Sequence, residues 1–228
     1  MPRQTFFNLP EDKRNLIIDL ALDEFSNYDY KNASISRIVN RAGIAKGSLY
    51  QYFEDKRDLY LYLVEISGQA KMEYLRSSRP VDSNMDFYTH LRWLFSAGIR
   101  FGLENPRLSQ VGYRMLNSEN PVRSENFKNL NQTALVFYKD LVTNGQQRGD
   151  INPGLDLGLC ALILSAMLTH LSQDLIEHAN LDPIVAEEHG LSHGNWQAVE
   201  AQFSQIVAIL EHGLRQEQIP KTQASEGL

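Results

Sequence analysis

Apolar residues recur at spacings of three and four along almost the whole chain, and alternating strand-like runs are absent. That periodicity predicts an all-α protein. Pro10, Pro80, Pro106, Pro121, Pro153, Pro183 and Pro220 fall where helices begin or end. A first helix is predicted from Asn8 or Leu9, where Asn8 and Glu11 have capping-box spacing and Pro10 suits a first turn. Leu16, Ile17, Leu20, Ala21 and Phe25 give it an apolar face. After a polar connection over 27–32, Ser34 is placed to cap a short helix with Ile35, Ile38, Val39 and Ala42 inward, and Gly43 stops it. A second short helix follows from about Ala45 to Tyr52 with Leu49 and Phe53 inward. Asp55, with Asp58 three later, opens a longer helix carrying Leu59, Leu63, Ile66 and Ala70.

Longer helices are predicted beyond this point. They run from about Met85 to Glu104, from Pro106 through Leu116, from about Pro121 to Arg148, from about Leu155 to Ala179, and from about Trp196 to Gln216. Gly98 and Gly102, four apart, are expected to let another helix approach closely. Residues 180–195 read as a polar connection, and the chain from about Lys221 reads as a frayed tail. The helix near 155–179 holds 17 uncharged residues between Asp156 and Asp174. Ser165, Thr169, His170 and Ser172 interrupt that run and both flanks are acidic, so a buried or interface helix is expected rather than a membrane span. No apolar run of signal-peptide length follows the first residues, which predicts a cytoplasmic protein.

Charge sharpens the picture. The 228 residues carry a formal net charge of -6, yet Lys31, Arg37, Arg41, Lys46, Lys56 and Arg57 face only Glu54 and Asp55 within 31–57. A basic island on an acidic body suits a nucleic-acid-binding head on a body that does something else. Ser34 to Phe53 supplies the matching geometry, two short helices about a glycine turn. The face of the second helix left free holds Lys46, Gly47, Ser48, Tyr50, Gln51 and Tyr52. Such groups contact phosphates and base edges, and Gly47 permits close backbone approach.

Other chemistry is thin. A single cysteine, Cys160, excludes a disulfide framework or a multi-cysteine metal site within one chain. No Gly-rich phosphate loop, Gly-x-Ser-x-Gly elbow or His-Glu-x-x-His motif is present, so no enzyme and no cofactor is expected. His189 and His193 have metal-ligand spacing, but Gly190 and Gly194 interrupt them, so a polar loop is expected and no metal.

The stretch from Leu9 to Ala70 resembles the DNA-binding domain of the TetR (tetracycline-repressor-type) family of bacterial transcriptional regulators. Phe25, Ser34, Ile35, Ile38, Ala42, Gly43, the run Lys46-Gly47-Ser48-Leu49-Tyr50-Gln51-Tyr52-Phe53, Lys56 and Leu59 carry the likeness, without a gap. Gln51-Tyr52 departs from the Tyr-His pair often found there, which bears on the operator read. The resemblance implies a three-helix head over 9–70, with its motif at 34–53, and a helical effector-binding and dimerisation bundle over 71–220. Residues 221–228 form the tail.

By position, it also implies that Ser34 and Ser36 hold phosphate and that Lys46, Gly47 and Ser48 meet the major groove. Tyr50 and Tyr52 would contact phosphate or a thymine methyl, Gln51 would lie on the same face, and Lys56 would bind phosphate. Arg37 and Arg41 are weaker candidates. A homodimer through the last two long helices is implied, with Leu159, Ala166 and Leu171, then Phe203, Val207 and Leu210, suited to it. Two recognition helices about 34–36 Å apart would then read a palindromic double-stranded DNA operator. An unknown small-molecule effector is expected among Tyr62, Phe87, His90, Trp93, Leu94, Phe101, Tyr113, Met115, Phe137, Tyr138 and Met167. That aromatic and aliphatic set favours an apolar or aromatic ligand. Repression released by the effector is the leading expectation. An activator or ligand-independent regulator with the same head, or a helical protein-interaction module, are the alternatives.

Overall fold

A computed structural model describes residues 1–80, 85–116, 123–178 and 193–214, and among them every regular element is a helix. In chain order these are α1 (Gln4–Phe7), α2 (Glu11–Asn27), α3 (Ile35–Arg41), α4 (Lys46–Tyr52), α5 (Lys56–Ser77), α6 (Phe87–Glu104), α7 (Pro106–Leu116), α8 (Arg123–Arg148), α9 (Leu157–His178) and α10 (His193–Leu214). The polar connection with His189, the residues at Pro121 and Pro183, and the tail from 221 lie outside the described residues. So do the side chains of His170 and Leu171.

The termini of the short helices follow from local chemistry. The Ser34 side chain accepts the Arg37 N–H at the start of α3. Gly43, at φ 63°, takes the left-handed conformation that turns the chain from α3 into α4. The Asp55 carboxylate accepts the Asp58 N–H at 2.8 Å, and Asp58 in turn accepts the Glu54 N–H at 3.0 Å, so α5 starts on reciprocal caps.

The start of α2 differs from expectation. Its N-cap is Pro10, with no side-chain cap bond, and the Asn8 side chain accepts from Gln4 instead. The reason is α1, which precedes it and which residue spacing did not announce. Phe6 of α1 is fully buried, so the core of the head begins ahead of Leu9. Leu16 points outward at 45% exposure, while Ile17, Ala21 and Phe25 face in.

Two cores organise the chain. The first joins Phe6, Ile17, Phe25, Ile35, Ile38, Leu49, Phe53, Leu59, Tyr60 and Leu63, and it also takes in Val111 and Met115 of α7. The second joins Phe87, Leu91, Phe95, Ile99, Leu141, Ile151, Leu164, Phe203 and Val207. Phe95 and Phe203 stack at 3.3 Å between centroids. The long helix α5 belongs to both, since Leu75 near its end packs on the second core. The close approach expected at Gly98 is not made there, because a Cβ would meet open space. It is made at Gly145, where a Cβ would lie 3.0 Å from Ile151 and 3.1 Å from Phe87. The described part of α9 and the other helices offer no segment long and apolar enough to cross a membrane.

Candidate DNA interface and effector site

The helix-turn-helix is clamped by a buried carboxylate. Glu24 of α2 is 3% exposed and accepts the Ser34 backbone N–H at 2.6 Å and the Arg37 Nε–H at 2.9 Å. A second guanidinium nitrogen of Arg37 also reaches Glu24 and donates to Asn32 O at 2.9 Å. The same guanidinium lies 4.2 Å from the centre of the Tyr28 ring. These bonds tie α2 to the amino end of α3. Arg41 pairs with Asp23 one turn further along. Arg37 and Arg41 therefore serve the head's own structure, while about half of each side chain remains exposed.

The outward face of α4 is left bare. Lys46, Gly47, Tyr50 and Gln51 are exposed and Ser48 is half-buried, while Leu49 and Phe53 are buried beneath. A Cβ at Gly47 would meet nothing, so the backbone itself is accessible there. Ser36 is exposed beside the helix start, whereas the Ser34 oxygen is occupied as the α3 cap. Tyr52 is a correction. It is 8% exposed and its ring lies 6.0 Å from Phe6, because α1 covers the side of α4 that spacing alone left open. Lys56 is half-buried, with its ammonium donating to Lys31 O at 3.2 Å and lying 4.8 Å from the Tyr30 ring centre. Burial pushes its pKa down. An ammonium has three donors, so this bond leaves others for a phosphate.

The residues expected around an effector divide, and Phe87, Trp93, Leu94, Tyr138 and Met167 meet in the second core. Tyr62 belongs to the head, with its ring 5.8 Å from Phe6 and 5.9 Å from Phe53. Met115 is fully buried in the head core. Leu94 and Phe101 are buried, and Phe101 packs edge-on against Tyr74 at 5.6 Å. Phe137 is 37% exposed. Tyr113 is half-buried, and Met167 packs half-buried against the body core. Tyr138 is also half-buried, and burial pushes its hydroxyl up to about 12. Trp93 donates its indole N–H to Ser78 O at 3.2 Å, with His90 at 5.4 Å.

Of the expected set, Phe87 and His90 line an open cleft in the body. It holds about 270 Å³ and adds Arg79, Met85, Leu141, Asn144, Gly145, Gln147, Arg148 and Asp150. Burial, assisted by Arg79 and Arg148, holds His90 below its ordinary pKa. Aromatic residues at helical spacing are legible in a sequence, whereas the polar lining from the end of α8 carries no such period. The Asp150 carboxylate accepts the Phe87 N–H at 2.9 Å, which joins the α8 exit to the start of α6.

The residues expected to form a dimer also divide. Leu159, Leu162 and Ile163 of α9 are 56%, 54% and 42% exposed, and Ala166 is exposed at the same helical spacing. Ile209 of α10 is 72% exposed. Phe203 and Val207 are buried against the chain's own core and leave the expected interface, while Leu210 packs half-buried on that core. The amphipathic period identified the helix but not which of its neighbours the apolar face meets.

A clamped helix-turn-helix that bares a polar helix face, set on an acidic helical body, defines a DNA-binding regulator. Known proteins agree. A family described as bacterial regulatory proteins, tetR family, matches residues 17–63, and a tetracyclin repressor-like C-terminal domain matches residues 85–215, more than half of the chain. The chain belongs to the TetR family of transcriptional regulators. A TetR family regulator from Chloroflexus aurantiacus J-10-FL is 40% identical, covers 95% of this chain and 99% of its own, and superposes with a TM-score of 0.79. The HTH-type transcriptional regulator AcrR of Shigella flexneri is 34% identical over 68 residues, 28% of this chain and 32% of that protein. FadR from Bacillus subtilis, solved in complex with stearoyl-CoA, shares the fold at a TM-score of 0.66 and 19% identity over 88% of this chain and 99% of its own.

Proposed function

We propose that this protein is a dimeric repressor that binds a palindromic operator through paired α4 helices and is released by a small effector bound in its body. The observation that carries the reading is the bare face of α4. Lys46, Gly47, Tyr50 and Gln51 are exposed together on a helix whose other side is locked into the head. Ser36, and Lys56 through its remaining donors, are the flanking phosphate contacts. The apolar stripe Leu159, Leu162, Ile163 and Ala166 supports dimerisation, because a soluble chain seldom leaves such a stripe to water. A repressor of this kind works in the cytoplasm, where its operator lies.

Release requires the effector to bind one head arrangement better than another. Helix α7 suits that coupling. Its Val111 and Met115 sit in the head core while it also packs against α6 and α8 of the body. The FadR complex with stearoyl-CoA supports a partly apolar effector.

Selection of random duplex DNA by the purified protein tests the reading. A palindromic motif is expected, with affinity falling by about 10-fold or more in Lys46→Ala and in Tyr50→Ala. No enrichment at low salt, where phosphate contacts are strongest, would overturn it.

A further inference from the structure

The segment ahead of α2 has a place in the reader. Residues 3–7 precede the span that the family's DNA-binding domain matches, which begins at 17. The last carbonyls of any helix lack partners within it. In α4 the Leu49 carbonyl takes the Phe53 N–H at 2.9 Å, and the next three are met from the amino-terminal segment. The Arg3 guanidinium donates to Tyr50 O at 3.2 Å, the Thr5 hydroxyl donates to Gln51 O, and the Arg3 backbone N–H donates to Tyr52 O at 2.8 Å. Phe6 anchors the segment from below, fully buried, with its ring 4.9 Å from Phe53.

Arg3 itself is exposed, and it stands beside Tyr50, the exposed ring of the reading face. A guanidinium has five N–H donors in a fixed fork, and the bond to Tyr50 O uses one nitrogen. A cation at the carbonyl end of a helix is also favoured by the helix dipole. Its position is thus held by α4, and its remaining donors are free to point where the phosphates flanking Tyr50 would run.

We propose that Arg3 is a further DNA-backbone contact, placed by its bond to α4, and that residues 3–7 brace the last turn of the recognition helix. The proposal rests on the operator-binding reading above. It separates two roles that differ in charge. Arg3 both contacts and braces, whereas Thr5 is an uncharged positioning residue acting through the Gln51 carbonyl.

The test is the salt dependence of operator affinity, measured on the full chain with the duplex obtained by selection. Arg3→Gln, which keeps a donor for Tyr50 O but loses the charge, is expected to bind about 10-fold more weakly. Its slope of log K against log salt should shrink by about 0.9 for each protomer bound. Arg3→Lys should keep the wild-type slope. Thr5→Val should bind about threefold more weakly with the slope unchanged, since no phosphate contact is lost. An Arg3→Gln variant with weaker binding but the wild-type slope would make Arg3 a cap alone and overturn the contact. Unchanged affinity in both Arg3→Gln and Thr5→Val would overturn the brace as well. A wild-type protein that selects no duplex fails at the earlier step, and overturns the operator reading itself.

Discussion

The head and the body of this chain are built on opposite plans. The head is densely filled, with Val111 and Met115 of α7 completing its core. Aromatic rings of Phe6, Phe25, Phe53, Tyr60 and Tyr62 pack within one core, and the buried Glu24 accepts from the Ser34 N–H and from two guanidinium nitrogens of Arg37. The body leaves surfaces open. It keeps an open cleft of about 270 Å³ at the α6 and α8 ends and an apolar stripe along α9. A part that must present one helix at one angle gains from rigid packing. A part proposed to accept a ligand and a second copy gains from unfilled space.

The largest expected effect strikes the body's open side. Leu162→Glu with Ile163→Glu places four charges in the proposed two-fold interface, and dimer affinity should fall about 1,000-fold, equivalent to about 4 kcal/mol. Sedimentation velocity should show monomers with unchanged helix content. A dimer that survives would place the interface elsewhere and erase that half of the contrast.

Phe6→Ala strikes the head's filled core. Removing a fully buried ring should cost about 3–5 kcal/mol of stability in urea unfolding followed by circular dichroism. Glu24→Gln should cost less, about 2 kcal/mol, because Arg37 is half exposed and keeps access to water. Its operator affinity should fall with it, since the start of α3 loses its anchor. If Glu24→Gln matched wild type in both assays, the clamp would not be what fixes the motif.

The smallest effect concerns pH and separates the body's cleft from the head. Burial and the nearby Arg79 and Arg148 hold His90 below its ordinary pKa. In the unfolded chain that imidazole takes up a proton near pH 6.5, and in the folded chain only at lower pH. The unfolded state therefore binds more protons as pH falls through about 6.5, and stability is lost in that window. His90→Gln should flatten the fall in melting temperature between pH 7 and pH 5.5. An identical profile in the variant would show that His90 does not titrate differently on folding.

The sequence alone determined the helical class, the helix-turn-helix at 34–53, the Ser34 and Asp55 caps, the turn at Gly43, and Leu49 and Phe53 as core. Each of these depends on neighbours within a few residues, so spacing and side-chain chemistry suffice. Only the tertiary structure decided that Tyr52 and Tyr62 turn into the head, that Arg37 and Arg41 pair with α2, and that Phe203 and Val207 face their own core. It also decided that a short helix ahead of Leu9 closes the end of α4 and that polar residues from α8 line the cleft. Helical period says that a face exists, and which partner covers it is set by contacts between residues far apart in the chain.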